Sequence, residues 1–218
     1  MNTSRIKFSL PLFLVISLGL NAPVSVSAQT KAERLCTESF QKAYRGKERQ
    51  AIKMAVTQCR DLAKTNNAVG QYHIGRMFLV GLGLDENHKT AAGWFARAAK
   101  QKHPEAITHL AQMIFKGQGL KRNPSLAVKY FRTAANRGSG LAQYELANRY
   151  YRGEGVEKNY VEAYKWFSVS IKTNLEQGNV PRSKLSQRKR DNTVKKLNSK
   201  QKKFGDDWLE KRAAKKGG

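Results

Sequence analysis

The chain has 218 residues, of which 41 are Lys or Arg and 16 are Asp or Glu, for a formal net charge of +25. Hydrophobic residues make up 40%, enough for a packed core, which excludes a fully disordered chain. Two Cys and four His exclude a disulfide-dense miniprotein and a multi-site zinc protein, while the charge itself points to a polyanionic or acidic partner.

Residues 1–28 read as a secretory signal peptide. Arg5 and Lys7 open it, an uncharged apolar stretch runs from Phe8 to Leu20, and the small residues of Val26-Ser27-Ala28 suit cleavage after Ala28. The alternative is an uncleaved anchor over residues 8–30, long enough to span a bilayer, although Pro11, Pro23 and several Ser make a poor spanning helix. Removal of residues 1–28 takes away Arg5 and Lys7 and leaves +23. A periplasmic or secreted chain of a Gram-negative type envelope does not meet the chromosome, so no nucleic-acid partner is expected. The charge then faces an acidic protein or an envelope polyanion such as lipopolysaccharide or cell wall.

Residues 29–67 read as an N-terminal helical hairpin that caps the rest of the chain. One helix is expected over about 31–44, a turn at Gly46-Lys47, and a second helix over about 48–64. Cys36 precedes Lys47 by eleven residues and Cys59 follows it by twelve, positions that face each other in an antiparallel hairpin. A Cys36–Cys59 disulfide is therefore expected in an oxidising compartment, and its loop entropy is worth roughly 3 kcal/mol. No Cys-x-x-Cys spacing supports a reactive dithiol in its place.

From residue 68 the chain repeats with a step of 36. Gly81, Gly117 and Gly153 keep this step, as do Gly83, Gly119 and Gly155, then Asn87, Asn123 and Asn159, then Ala91, Ala127 and Ala163. The aromatic pairs Trp94-Phe95, Tyr130-Phe131 and Trp166-Phe167 follow the same step. Three copies align over 68–103, 104–139 and 140–175 with no insertion. Each reads as two helices. The first carries an apolar stripe such as Ile74, Gly75 and Phe78, with small residues at 70 and 75 that admit a neighbouring helix. The Gly-x-Gly step ends that helix, because glycine accepts the left-handed conformation of a helix stop. The recurring Asn caps the second helix, helped by Pro124 in a first turn and by Glu162 three residues after Asn159, as in a capping box. The aromatic pairs lie on the same stripe as the alanines and read as core rather than as a ligand-stacking strip.

At these residues the sequence resembles the Sel-one-like repeat family, relatives of the tetratricopeptide repeats. The third copy carries the resemblance best, in Ala142-Gln143, Leu146-Ala147, Tyr150, Gly153-Glu154-Gly155-Val156, Ala163 and Trp166-Phe167. Asn stands where the family usually has Asp, and the final Ala-Ala is lost in the third copy. The resemblance implies an all-α fold, an α/α superhelical solenoid of antiparallel helix pairs with helical caps, and a role in protein–protein interaction. Among similar proteins it points to adaptors, periplasmic regulators and parts of flagellar motor rings. Some secreted members of the family act on β-lactams, but these carry a Cys pair in each repeat, and no repeat here contains Cys.

Residues 176–218 carry +9 over 43 residues and read as a basic helical extension. Gln177-Gly178-Asn179 resembles the start of another repeat that Pro181 is expected to break. A helix is expected over 183–197, followed by one capped by Ser199 whose apolar edge of Phe204 and Trp208, roughly joined by Leu197, covers the last repeat. Arg188, Lys189, Arg190, Lys202 and Lys203 are expected in solvent and are the candidate polyanion contacts. For a protein partner, the first helices of the repeats are expected to line a concave groove through His73, Arg76, His109, Gln112, Glu145 and Asn148, and an acidic segment would suit the charge. No metal, cofactor or catalytic arrangement is expected: two His one repeat apart fall short of a ligand set, and no nucleophile–base pattern is visible.

Overall fold

In the computed structural model the described residues are 26–217, with side chains over 30–215. The expected signal peptide, and the anchor that is its alternative, lie outside the described residues except at their C-terminal ends. Among the described residues there are ten helices and no strand: α1 (Val26–Gly46), α2 (Arg49–Lys64), α3 (Ala68–Val80), α4 (His88–Lys100), α5 (Pro104–Lys116), α6 (Pro124–Asn136), α7 (Gly140–Arg152), α8 (Tyr160–Glu176), α9 (Val180–Val194) and α10 (Ser199–Gly217). From α1 to α9 each helix packs on the next, and α10 packs on α8. In addition α1 touches α3, α5 touches α7, and α7 touches α9, so the odd-numbered helices form an inner row. No helix among the described residues is long and apolar enough to cross a membrane.

Both helices of each repeat begin and end for local reasons. Asn87, Asn123 and Asn159 accept hydrogen bonds from the backbone N–H of Thr90, Leu126 and Glu162, at 2.8, 2.9 and 2.9 Å. Such a cap contributes about 1 kcal/mol. The capping box at Asn159 is only half made, because the Glu162 carboxylate turns to Lys165 at 2.8 Å and the Asn159 N–H reaches the Tyr150 carbonyl instead. The first helices are capped in the same step of 36 by three different residues, Asn67, His103 and Ser139, which accept from Gly70, Ala106 and Ala142.

The two glycines of each step have different tasks. Gly81, Gly117 and Gly153 end their helices in the left-handed conformation, with φ of 66°, 76° and 75°. The second glycine is a contact point between repeats. A Cβ at Gly119 would stand 2.5 Å from the carbonyl carbon of His88, and one at Gly155 would stand 2.5 Å from that of Pro124. The loop of each repeat therefore rests on the first turn of the second helix in the repeat before it.

The repeat phase extends upstream of residue 68. Counting 36 residues toward the N-terminus places Ala55 at the position of Ala91, Cys59 at that of Phe95 and Cys36 at that of Tyr72. The Cys36–Cys59 disulfide is formed, both residues being fully buried with Cα atoms 4.8 Å apart. It stands where Tyr72 meets Phe95 one repeat later, ring centroids 6.2 Å apart, and where Tyr144 meets Phe167, at 5.8 Å. The N-terminal hairpin thus has the geometry of a repeat, with a covalent bond in the place of an aromatic contact. In the repeats proper, Phe95, Phe131 and Phe167 are buried, as the aromatic-core reading requires. Their neighbours Trp94 and Tyr130 are half-buried, and Trp166 is covered by α10.

The C-terminal end departs from the sequence reading at Pro181, at the cap of α10 and at Phe204. Pro181 does not break the chain: it sits in the first turn of α9, where its missing N–H costs nothing, and Asn179 caps that helix by accepting from the Arg182 N–H at 3.2 Å. The α8–α9 contact is a polar layer, because α9 has few apolar residues to offer. The Ser170 and Ser186 hydroxyls lie 3.0 Å apart and Ser183 donates to the Ile171 carbonyl at 3.1 Å, while within α8 the Asn174 amide donates to the Ser170 carbonyl at 2.7 Å. Finally, α10 is capped by Asn198 rather than Ser199. Asn198 accepts from the Gln201 N–H at 2.8 Å while the Gln201 side chain accepts from the Asn198 N–H at 3.0 Å, a reciprocal box. Trp208 packs on Trp166 at 6.0 Å. Phe204 stays 61% exposed, its ring engaged by the Lys165 ammonium at 4.5 Å rather than buried in the apolar edge.

Gly119→Ala is expected to cost about 3 kcal/mol, the sum of a left-handed backbone strain and an overpacking term. Gly93→Ala, at an exposed helix position with nothing near its added Cβ, is expected to add up to about 1 kcal/mol. Urea unfolding measures both. Cys36→Ser is expected to lower stability by about 3 kcal/mol, read as the loss of the difference between oxidised and reduced protein in thermal unfolding.

Candidate interaction groove

The inner row displays two columns of side chains in the step of 36. One is Thr37, His73, His109 and Glu145; the other is Phe40, Arg76, Gln112 and Asn148. Thr37 and His73 touch across the step, hydroxyl to Nε2 at 3.3 Å. The columns do not present their polar groups equally. His73 is 5% exposed, wedged against Phe40 at 4.7 Å and Tyr72 at 5.0 Å. Asn148 is also 5% exposed and donates back to the Tyr144 carbonyl at 3.0 Å. These two of the six expected groove residues belong to the packed wall. Arg76, His109, Gln112 and Glu145 remain partly open to solvent.

Burial decides the charge of this wall. Desolvation first, and the nearby Arg76 cation next, push His73 and His109 down to about 3, so both imidazoles are neutral at physiological pH. His109 lies parallel to Phe95 at 5.1 Å and feels the positive charges of Arg182 and Lys116 as well as Arg76.

Two arginines on the wall are treated differently. Arg149 of α7 is 9% exposed, lies 4.0 Å above the Phe115 ring, and is neutralised by Glu145 at 3.3 Å and by Glu154. Glu145 also accepts from the Gln112 amide at 3.2 Å. Arg76 of α3 makes no ion pair among the described residues. Its guanidinium lies over the rings of Phe40, Tyr44 and Tyr72 at 4.4, 5.2 and 5.8 Å. Sequence reasoning does not single out Arg149, Phe40, Tyr44, Tyr72, Lys116 or Arg182. The signal for Phe40 is its place one step before Arg76, visible only once α1 is seen to share the repeat phase.

The five basic residues of the extension form a looser set. Arg188 and Lys203 are exposed, while Lys189 and Arg190 are half-buried. Arg190 pairs with Asp191 at 2.8 Å and Lys202 with Asp206 at 2.7 Å. Arg190 and Lys202 are brought near each other, since both act on the Tyr164 hydroxyl that donates to Asp206. Among the described residues no group of three or more His, Cys, Asp and Glu is placed to hold a metal ion.

The Sel1 repeat family matches residues 68–103, 104–139 and 140–171. Among solved structures, the chain is similar to a protective antigen present in uropathogenic Escherichia coli strains that displays an SLR fold, at 29% identity and a TM-score of 0.68. That likeness covers 84% of this chain and 37% of the antigen, so this chain spans a little over a third of its length. A Sel1 repeat protein from Oxalobacter formigenes shares the fold at 24% identity and a TM-score of 0.56, over 72% of each chain. No protein with a curated description matches.

His73 and His109 set a pH dependence. Their folded pKa lies below the unfolded value of about 6.5, so below that pH the unfolded chain takes up protons that the folded chain refuses. Stability is full above pH 6.5 and falls on acidification toward 3, by about 1.4 kcal/mol per unit for each group. Between pH 7 and pH 5 the loss is expected to be about 4 kcal/mol, and the double variant His73→Asn, His109→Gln to show a flatter slope in urea unfolding across that range.

Proposed function

This chain belongs to the Sel1 repeat family, three of whose repeats make up its middle, and from that premise we propose that it is a periplasmic scaffold or regulator that binds a segment of a partner protein along its inner helical row. Sel1 repeats make interaction scaffolds rather than catalytic sites, and a solenoid offers a long surface for the purpose. One observation carries the reading to the inner face. Arg76, His109, Gln112 and Glu145 are partly exposed at repeat spacing on a wall whose other members are locked in the core. Side chains held this way lose little entropy on binding.

The envelope location is supported by the basic and apolar start of the sequence and by the buried disulfide, which suits an oxidising compartment. A relative described as a protective antigen fits the same location. The domain reading that goes with it has a leader over 1–28, a hairpin over 29–67, repeats over 68–175 and a basic extension over 176–218. The extension supports a second reading, an envelope-polyanion module acting through Arg188, Lys189 and Lys203. It ranks below the first because Arg190 and Lys202 already hold acidic partners. Docking into a flagellar motor ring rests on resemblance alone.

Site-specific photo-crosslinking in intact cells separates the two. A crosslinker at Gln112 is expected to trap a discrete partner band that one at Lys129, exposed on α6, does not. Crosslinks arising from position 188 or 203 and absent from position 112 would sink the groove reading in favour of the extension.

A further inference from the structure

We infer that Arg76 is a carboxylate clamp, the point at which the groove recognises an acidic side chain of a partner protein. The inference rests on the groove reading and names the chemistry of what the groove takes.

Four observations lead to it. First, Arg76 is a partly exposed guanidinium with no ion pair among the described residues, whereas Arg149, further along the row on α7, is neutralised from two sides. Second, its orientation is set in advance. The guanidinium carbon lies 4.4 Å from the centre of Phe40 and 5.2 Å from that of Tyr44, rings that are themselves stacked at 5.8 Å and 16°, and 5.8 Å from that of Tyr72. A guanidinium braced by aromatic faces keeps a planar fork ready for a bidentate carboxylate, which an ammonium cannot reproduce.

Third, the acids of this face sit with other partners: Glu145 is held by Arg149 and Gln112, Glu105 lies 3.8 Å from His103, and Glu33 accepts from the Asn67 amide. Lys116 and Arg182, on α5 and α9, also make no ion pair among the described residues, and both add positive charge felt at His109. Fourth, Tyr44 is 48% exposed beside the fork, an apolar and hydrogen-bonding neighbour for the residue next to the acid. That combination suits a polypeptide better than a polyphosphate or polysaccharide, for which exposed point charges alone would serve.

The test uses the full-length protein and a fluorescein-labelled deca-glutamate peptide followed by anisotropy. The unaltered protein is expected to bind it, and Arg76→Gln and Arg76→Lys each to weaken binding by about tenfold or more, as the loss of a charge-assisted fork requires. The triple variant Arg188→Gln, Lys189→Gln, Lys203→Gln is expected to stay within about twofold of the unaltered protein, on the premise that the clamp is separate from the extension. An unchanged melting temperature for Arg76→Lys keeps a folding defect out of the comparison. The clamp is overturned if the unaltered protein does not bind, if Arg76→Gln binds equally well, or if the loss is confined to the triple variant. Lipopolysaccharide micelles that bind with the same dependence on Arg76 would reassign the site to an envelope polyanion. Partner crosslinks that persist at Gln112 while peptide binding ignores Arg76 would remove the clamp and leave the groove; loss of those crosslinks would remove both.

Discussion

The stack is kept in register where a glycine backbone of one repeat rests on the first helical turn of the repeat before it. At Gly119 and Gly155 a single added carbon would stand 2.5 Å from a carbonyl carbon of His88 or Pro124. Closeness of that order admits no slip along the stack, because any side chain would prise the repeats apart. The angle between successive pairs follows from it, and so does the alignment of the inner row. The two columns of polar and aromatic residues are in line because the glycine contacts are in line.

On that frame the core is filled by one recurring contact between a first and a second helix. Tyr72 with Phe95 and Tyr144 with Phe167 are two versions. The disulfide of Cys36 with Cys59 occupies the same place in the hairpin that opens the stack. An end pair is packed from one side only, so it buries less apolar surface than an inner pair. A covalent bond at its centre offsets that deficit by limiting the unfolded chain. At the opposite end a different solution appears. There α9 meets α8 through the Ser183 and Ser186 hydroxyls, and α10 lays Trp208 on Trp166. A fully partnered polar layer seals the end without presenting an apolar face to another chain.

The groove inherits its electrical character from this packing. Imidazoles that would share the positive charge are held neutral by burial, and Glu145 is consumed within the wall by Arg149 and Gln112. Arg76, without an ion pair among the described residues, is left open to the solvent on that wall. The overall excess of basic residues thus has a local expression on the inner face as well as in the extension, where part of it is offset by Asp191 and Asp206.

The helices, their order, the step of 36 and the disulfide pairing are legible in residue spacing, because helix periodicity, glycine stops and Asn caps depend on neighbours a few residues away. The first-helix caps are not, since Asn67, His103 and Ser139 keep the position while changing the residue. Pro181 misleads for a related reason: a proline that breaks a helix and one that starts it differ only in where the preceding cap falls. The groove is half legible. Its columns can be counted from the repeat, but a column does not say which members face water. His73 and Asn148 go into the wall, Arg76 stays open over Phe40 and Tyr44, and Arg149 draws in two acids. These outcomes depend on contacts between residues about 36 apart or on loops folding back to a helix end. Such contacts exist only once the repeats are stacked, so folding alone settles which charges the molecule keeps for a partner.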